Sequence, residues 1–236
     1  MSEKTTTARR KQHLAQVRSK QTRQRRLRVI ALATVALAVL LGALFTVWRG
    51  TSTPTDGTPA AGGGVRGSGE YPYQVGRPGI GQAAPAFALP ATTGKKVSLA
   101  DYRGKNVLLY FQEGLMCEPC WDQIGDLEKN VSAVKAAGID QIVSITVDPI
   151  DLITRKMHDE GYTTTVLSDP DLSATKAYDA NAYGMMGDSK PGHSFILVGP
   201  DGKIRWRADY GGEPKYTMFL PTSQILADMK KDTTAK

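Results

Sequence analysis

The chain has 236 residues, 22% of them charged, and a formal net charge of +7 at pH 7. The positive charge is concentrated at one end: residues 1–28 carry ten Lys or Arg and one Glu, whereas the chain from Tyr71 onward carries 18 basic and 20 acidic residues. The net charge therefore does not indicate a nucleic-acid-binding domain, and two cysteines with three scattered histidines do not match the spacing of a zinc finger.

An apolar segment follows the basic tail. Residues 29–48 contain no charged side chain, and as a helix they are long enough to cross about 30 Å of hydrocarbon. Since Lys and Arg stay on the cytoplasmic side, we predict a single-pass anchor in the cytoplasmic membrane, with the N-terminus inside and the rest outside. A cleaved signal peptide and a DNA-binding role for the basic tail remain as alternatives.

The domain organisation follows from these segments. The predicted parts are a basic cytoplasmic tail at 1–28, a transmembrane helix at 29–48, a flexible linker rich in Gly, Ser, Thr and Pro at 49–70, and one folded domain at 71–236.

Strand and helix patterns alternate along the predicted domain. Apolar runs bounded by turn residues predict strands at 84–89, 96–99, 106–111, 141–147, 163–167, 194–198 and 203–207. Apolar residues spaced by three and four predict a helix that follows residue 117 and buries Ile124, Leu127, Val131 and Val134. Further helices are expected at 152–158, 172–178 and 223–230, and Asp148 is expected either to cap the first of them or to turn the chain into it. This alternation predicts an α/β domain.

The last two predicted strands form a hairpin around Asp201 and Gly202, residue types that tolerate a positive φ in tight turns. In its second arm, apolar and charged residues alternate, which predicts one buried face and one face in water: Ile204, Trp206 and Ala208 against Arg205, Arg207 and Asp209.

The two cysteines form the most informative motif, Cys117-Glu118-Pro119-Cys120. The preceding strand delivers Cys117 to a helix N-terminus, where free N–H groups and the helix dipole favour a thiolate, so Cys117 is the predicted nucleophile. Cys120 lies three residues on, on the same helical face, and is the predicted resolving thiol. Pro119 suits the first helical turn. Glu118 adds a negative charge that opposes thiolate formation and limits the fall of the Cys117 pKa.

Two other interpretations of this motif remain open. A structural disulfide is one, although so short a loop restrains little of the unfolded ensemble. A zinc site is the other, and it would need further ligands that His13, His158 and His193 do not offer at a suitable spacing.

Four segments share a recognisable pattern: Ala84-Pro-Ala-Phe87, Asp101-Tyr-Arg-Gly-Lys105, the Cys-Glu-Pro-Cys motif, and Phe195-Ile-Leu-Val-Gly-Pro-Asp-Gly-Lys203. Together they resemble the redoxin branch of the thioredoxin superfamily, which includes the AhpC/TSA peroxiredoxins and the TlpA/ResA-type membrane-anchored thiol-disulfide oxidoreductases. The resemblance implies a thioredoxin-like fold, with a central mixed sheet flanked by helices.

The sequence departs from each subfamily. Peroxiredoxins carry Thr or Ser three residues before the peroxide-reacting cysteine and an Arg near the later strand, where this chain has Gly114 and an Arg-free segment around His193. Thioredoxins often have a buried acid at the position of Tyr110. The resemblance therefore implies that the peroxide-binding groups are missing.

Release of a mixed disulfide needs a base near Cys120, and two residues are candidates. Glu113 lies on the loop before the motif and could act as this base; the alternative is a loop carboxylate that is exposed to solvent. His193 lies in the segment that faces the thiols in this fold, and the alternative is a surface histidine or a loop histidine whose hydrogen bonds are satisfied. Trp121 is expected to pack the start of the helix and, by resemblance, to border the partner groove. The segment 210–219 is expected either to pack as a loop or to form one wall of that groove.

We therefore predict a membrane-anchored, extracytoplasmic thiol-disulfide oxidoreductase. It would act on protein thiols and disulfides through Cys117 and Cys120, without a metal or organic cofactor and with a membrane electron donor as a second partner. The alternatives are a peroxiredoxin-type thiol peroxidase, in which Cys117 becomes a sulfenic acid that Cys120 resolves, and a non-enzymatic binding module.

Overall fold

The computed structural model describes residues 65–67 and 69–234. The predicted tail at 1–28, the predicted transmembrane helix at 29–48 and most of the predicted linker lie outside these residues. Within the described part of the chain, no helix is both long and apolar enough to cross a bilayer.

Seven strands and five α-helices form the described domain. The strands are β1 (Ala88–Pro90), β2 (Lys96–Ser98), β3 (Val107–Phe111), β4 (Gln141–Thr146), β5 (Thr165–Ser168), β6 (Ser194–Val198) and β7 (Ile204–Asp209). The helices are α1 (Glu118–Lys129), α2 (Val131–Ala136), α3 (Ile150–Glu160), α4 (Ser173–Ala177) and α5 (Thr222–Thr234). Short 3₁₀ helices lie at Leu99–Tyr102, Ala180–Tyr183 and Gly187–Ser189.

Five of the strands form one mixed sheet in the order β5-β4-β3-β6-β7. Strands β3, β4 and β5 are parallel, whereas β6 is antiparallel to both of its neighbours. Strands β1 and β2 form a separate hairpin. The structure confirms the predicted α/β domain with a central mixed sheet flanked by helices.

Strand β3 is buried along its whole length because both faces of the sheet are covered. On one face its side chains pack with residues of α1, α3 and α5: Leu108 and Tyr110 with Trp121, Ile153 and Ile225. On the other face they pack with the β1–β2 hairpin and α4: Leu109 and Phe111 with Leu89 and Ala174. The loop that carries the cysteines therefore starts from the centre of the core.

The helix after the cysteines is shorter than its periodicity predicts. Helix α1 ends at Lys129, and the side-chain amide of Asn130 donates to the Asp126 carbonyl at 2.8 Å. The backbone of Asn130 leaves the helical region, with a φ of −103° and a ψ of 19°, and this interrupts the helix. Val134 stays in the core, but Val131 is 42% exposed, so the prediction that Val131 belongs to one continuous buried face is wrong.

The prediction that one face of β7 is exposed to solvent is also wrong. Arg207 and Asp209 are fully buried and form an ion pair at 2.8 Å, and Arg205 alone of the three charged residues is exposed. The segment before β1 covers them: the Gly76 N–H donates to the Asp209 carboxylate at 2.7 Å, and the Arg207 guanidinium donates to the Pro78 carbonyl at 3.2 Å. The alternation of residues within β7 does not show that a segment far away in the sequence covers this face.

Candidate active site

Cys117 lies at the N-cap of α1, at the end of the loop that leaves β3. Its N–H donates to the Gly114 carbonyl at 2.9 Å, and the Cys120 N–H donates to the Cys117 carbonyl at 3.0 Å. The two cysteines form a disulfide with their Cα atoms 5.3 Å apart. Cys117 is 7% exposed and Cys120 is 0% exposed. The first sulfur thus lies nearer to solvent at the positive end of the helix, and the second lies behind it.

Gly114 fits its position only because it lacks a side chain. Its φ is +93°, and a Cβ atom there would overlap the Asp148 carboxylate and the Thr146 hydroxyl. The Gly114 carbonyl also accepts a hydrogen bond from the Trp121 indole N–H at 3.1 Å. The position that carries Thr or Ser in peroxiredoxins is therefore filled here by neighbouring protein atoms.

Asp148 holds the redox loop, a role that the sequence reasoning missed. The sequence predicts that this residue either caps the following helix or turns the chain into it; the N-cap of α3 is Pro149, so Asp148 is not the cap and lies in the turn before the helix. The Asp148 carboxylate instead accepts a hydrogen bond from the Leu115 N–H at 2.7 Å and one from the Thr146 hydroxyl at 3.2 Å. A signal was available, because residues that follow parallel neighbouring strands such as β3 and β4 meet at the same edge of a sheet.

The charge of Glu118 is paired at the surface. Its carboxylate lies 3.0 Å from the Lys156 ammonium, which also contacts Glu160 at 2.9 Å and lies 6.0 Å from the centre of the Trp121 ring. The bond to Glu160, and to a smaller extent Glu118, raises the pKa of Lys156. Pro119 occupies the first turn of α1, and Trp121 is fully buried under the helix start. Lys156 therefore partly offsets the negative charge that the motif places beside Cys117.

Glu113 is buried in the loop before the cysteines, with 6% of its surface exposed. Its carboxylate accepts a hydrogen bond from the Met185 N–H at 2.9 Å, and its backbone carbonyl accepts one from the Lys190 ammonium at 2.9 Å. Among the described residues, its hydrogen bonds thus connect the redox loop to the segment 185–190 rather than to a cysteine.

His193 is fully buried and lies next to Tyr110. Its Nδ1 atom is 3.0 Å from the Tyr110 hydroxyl, which also donates to the Cys120 carbonyl at 3.2 Å. Burial lowers the pKa of His193 to about 3, so the ring is neutral at physiological pH. Burial, and then the charge of Glu113, raises the pKa of Tyr110 well above its ordinary value. Of the two predicted bases, His193 is the one connected to Cys120, and the connection runs through the Tyr110 hydroxyl to the Cys120 backbone carbonyl rather than to its sulfur.

Met218 contributes to the site from the segment 210–219. It is 9% exposed and forms a small buried cluster with the two cysteines. Tyr210 at the start of this segment is buried and donates to the Asp228 carboxylate at 2.8 Å. His158, in contrast, lies on α3 with 88% of its side chain exposed.

A cysteine at a helix N-cap, a second cysteine one turn later and a central mixed sheet define a thiol oxidoreductase of the thioredoxin superfamily. The AhpC/TSA family matches residues 80–207, so this chain belongs to that family. The predicted resemblance to the redoxin branch is thereby confirmed.

Individual relatives of two kinds share this region. A Mycobacterium tuberculosis protein, provisionally described as a peroxiredoxin, is 37% identical over 129 residues, which cover 52% of this chain and 80% of that protein. Peroxiredoxin Bcp of Escherichia coli K12 is 33% identical over 127 residues, which cover 52% of this chain and 81% of that protein. The thiol-disulfide oxidoreductase ResA of Bacillus subtilis is 30% identical over 125 residues, which cover 52% of this chain and 64% of that protein.

The fold has solved counterparts. The crystal structure of reduced 2-Cys peroxiredoxin from Plasmodium vivax matches this chain with a TM-score of 0.54 at 22% identity, covering 66% of this chain and 82% of that one. This similarity confirms the thioredoxin-like fold of the described domain.

Proposed function

We propose that this protein is a membrane-anchored, extracytoplasmic oxidoreductase that exchanges electrons with protein disulfides through Cys117 and Cys120. The main observation is the asymmetry of the pair: Cys117 lies at the N-cap of α1 near solvent, and its disulfide partner Cys120 is fully buried. A nucleophilic thiolate is stabilised at a helix N-terminus, and a resolving thiol must be within reach of it but need not meet the substrate.

The exchange proceeds in two steps. The Cys117 thiolate attacks one sulfur of a partner disulfide, which forms a mixed disulfide and releases the first partner sulfur as a thiolate. The Cys120 thiol then loses its proton and attacks the Cys117 sulfur, which forms the Cys117–Cys120 disulfide and releases the second partner thiolate. Two electrons thus pass from the cysteine pair to the partner. A membrane electron donor would run both steps in reverse and restore the dithiol.

The environment of Gly114 supports a protein disulfide as the substrate rather than a peroxide. Peroxide chemistry in this superfamily uses a hydroxyl at this position, but here a side chain would collide with Asp148 and Thr146. The name of ResA, a thiol-disulfide oxidoreductase at 30% identity, agrees with this assignment. A thiol peroxidase is the second candidate, because the relatives at 33–37% identity are described as peroxiredoxins.

One comparison tests the two candidates together. The reduced full-length protein is mixed separately with insulin, as a protein disulfide probe, and with hydrogen peroxide. We expect insulin reduction, a trapped insulin adduct on Cys117 in Cys120→Ser, and peroxide consumption no faster than that of a free thiol. If Cys120→Ser instead accumulates a sulfenic acid at low peroxide while the parent turns peroxide over rapidly, the protein is a peroxidase. A binding module would keep its partner affinity in Cys117→Ser and reduce neither probe.

The membrane location is supported by the sequence, through the basic residues of 1–28 and the uncharged segment 29–48. We expect an impermeant maleimide to label Cys117 of the Cys120→Ser variant in intact spheroplasts. As the matched control, Thr5→Cys in a variant with both native cysteines changed to Ser should be labelled only after permeabilisation. The opposite labelling pattern would contradict the proposed orientation.

A further inference from the structure

The segment 185–190, which we call the Met loop, is a short exposed loop before β6. All of its residues except the last are exposed, and Met185 and Met186 are 59% and 51% exposed. The chain leaves the domain and rejoins it at nearly one point, because a Cβ atom on Gly192 would overlap the carbonyl of Tyr183. The loop therefore presents two adjacent methionines to solvent.

One residue, Glu113, anchors both ends of the Met loop. Its carboxylate accepts a hydrogen bond from the Met185 N–H at 2.9 Å, and its backbone carbonyl accepts one from the Lys190 ammonium at 2.9 Å. Glu113 is only 6% exposed, so water competes little for these bonds. The position of the two methionines therefore depends on the loop that carries the reactive sulfur.

A tight turn places this anchor close to Cys117. The Cys117 N–H donates to the Gly114 carbonyl at 2.9 Å, and the Cα atoms at the two ends of such a turn are less than about 7 Å apart. Since consecutive Cα atoms are about 3.8 Å apart, the Cα atom of Glu113 lies within about 11 Å of that of Cys117. Met116 lies inside the turn and is 89% exposed. Exposed methionines thus occur both next to the reactive cysteine and on the loop anchored near it.

The chemistry of this surface indicates what it contacts. Cys117 is 7% exposed, so a partner that reaches its sulfur approaches over the neighbouring residues, among them Met116. Methionine is flexible and adapts to apolar surfaces of different shapes. The Met loop carries no net charge: the carboxylate of Asp188 accepts a hydrogen bond from Asn181 at 3.1 Å, and the Lys190 ammonium is bound to the anchor. The surface therefore suits apolar side chains rather than a charged motif.

We propose that Met116 and the Met loop form the docking surface for an extended segment of the partner protein, with apolar side chains about three or four residues from its disulfide-bonded cysteine. An extended chain advances about 3.3 Å per residue, so three or four residues cover about 10 to 13 Å, the span from Cys117 to the anchor. Glu113 is then a positioning residue for the Met loop. This inference rests on the proposed function and names the class of protein disulfide that it prefers.

Two nine-residue peptides test the surface. Each carries a central cysteine joined to thionitrobenzoate as a mixed disulfide, with either Leu or Ser at the third and fourth positions on both sides. The Cys117 thiolate attacks the peptide sulfur, which forms a Cys117–peptide disulfide and releases coloured thionitrobenzoate. For the reduced full-length protein in lipid nanodiscs we expect the Leu peptide to react about tenfold faster than the Ser peptide at low peptide concentration, because its side chains become partly buried.

Variants of the loop should remove this preference. In the double variant Met185→Gln, Met186→Gln we expect the ratio of the two rates to fall below about threefold, because two apolar contacts are lost. The ratio is the chosen readout because a change in the reactivity of Cys117 affects both peptides equally. Val131→Gln is the matched control: Val131 is 42% exposed but lies beyond the far end of α1, so the ratio should stay near that of the parent.

The positioning role of Glu113 has its own pair of variants. Glu113→Ala removes the acceptor for the Met185 N–H and should lower the ratio as the double variant does. Glu113→Gln keeps a side-chain oxygen that can accept this hydrogen bond and should restore the ratio. A residue that only stabilises the fold would slow both peptides and leave the ratio unchanged. Equal ratios in the two variants would contradict the positioning role.

Each remaining outcome has a separate meaning. Equal rates of the two peptides with the parent, an unchanged ratio in the double variant, or a loss of preference in Val131→Gln contradicts the docking surface and leaves the proposed function intact. Release of thionitrobenzoate from neither peptide contradicts the proposed function itself. Analytical ultracentrifugation of the full-length protein tests another occupant: a dimer that the double variant converts to a monomer would show that a second copy covers the Met loop, which overturns the inference.

Discussion

The Cα atoms of the two cysteines are 5.3 Å apart, but the surroundings of the two residues differ. The outer half of the site comprises the 114–117 loop, Asp148, Glu118 and Lys156. Backbone hydrogen bonds and surface charges hold it in place. The inner half comprises Cys120, Tyr110 and His193, which are fully buried. Its side chains are neutral, and His193 Nε2 has no hydrogen-bond partner among the described residues.

This difference suggests that one motif divides its chemistry between two environments. The outer half places a sulfur at a helix N-terminus, where the ionised form is stabilised and a partner can approach. The inner half keeps Cys120 out of contact with water. Changes in the outer half should therefore alter the first step of exchange, and changes in the inner half should alter the second step or the response to pH.

Replacement of the two sulfurs should give the largest contrast. Cys117→Ser should lower the rate of insulin reduction about a thousandfold or more, because a serine hydroxyl is not ionised at neutral pH. With Ellman's reagent as the disulfide probe, attack by Cys117 releases one thionitrobenzoate and resolution by Cys120 releases a second. Cys120→Ser should keep the rate of the first release within about twofold and lose the second release, since the attacking thiolate is unaffected. Stopped-flow absorbance measures both phases. The division would be wrong if Cys120→Ser removed the first phase.

The rigidity of the outer loop can be tested at Gly114. Gly114→Ala should lower the free energy of unfolding by about 3 kcal/mol or more, because it combines strain at a positive φ with a collision against Asp148. Gly138→Ala is the matched control: Gly138 has a φ of +83°, and a Cβ atom added there would meet no other atom within 4 Å, so it should cost about 1 kcal/mol. Chemical denaturation followed by tryptophan fluorescence compares the two variants. Equal losses would show that the loop can move aside.

The inner half should show a specific response to acid. The pKa of His193 is about 3 in the folded protein and about 6.5 in an unfolded chain. Between these values the unfolded state binds more protons, so this group lowers the free energy of unfolding as the pH falls below about 6.5 and has no effect above it. At pH 5 the loss should be about 2 kcal/mol relative to pH 7.

His193→Gln should remove this part of the pH dependence, whereas His158→Gln should leave it in place because His158 is exposed. Denaturation curves at several pH values measure both slopes. Parallel pH profiles for the parent and His193→Gln would mean that the ring is not held neutral by the fold.

The surface charges of the outer half should have the smallest effect. Lys156→Met leaves the Glu118 carboxylate unpaired beside Cys117 and should raise the midpoint of the pH dependence of Cys117 alkylation by about half a pH unit. Glu118→Gln should lower the midpoint by a few tenths, about the value of an exposed charge pair. Alkylation rates across pH measure both shifts. A shift of several pH units in either variant would place this pair at the centre of thiolate stabilisation.

The core strands could be predicted from the sequence because their signal is local. The unbroken apolar runs of β3 and β6 predict both strands to within one residue, since both strands are buried on both faces. Where a distant segment decides burial, the local pattern failed. Arg207 and Asp209 alternate with apolar residues as if they faced water, but residues more than a hundred positions earlier in the chain cover them.

The site divides in the same way. The nucleophile and its resolving partner follow from four adjacent residues and the chemistry of a helix N-terminus. The link between Tyr110 and His193, which are 83 residues apart, depends on the pairing of β3 with β6 and is not encoded in either local sequence. The role of Asp148 in holding the redox loop was missed for a similar reason, because its contact is with the loop after the neighbouring strand.

The measurement that addresses the central claim most directly is alkylation of the reduced full-length protein with iodoacetamide across pH, with each cysteine quantified by mass spectrometry. We predict that Cys117 reacts first, with a midpoint below about 8.5, the ordinary value for a cysteine thiol, while Cys120 stays protected in the folded protein. Equal and slow reaction of both cysteines at neutral pH, or faster reaction of Cys120, would contradict the account.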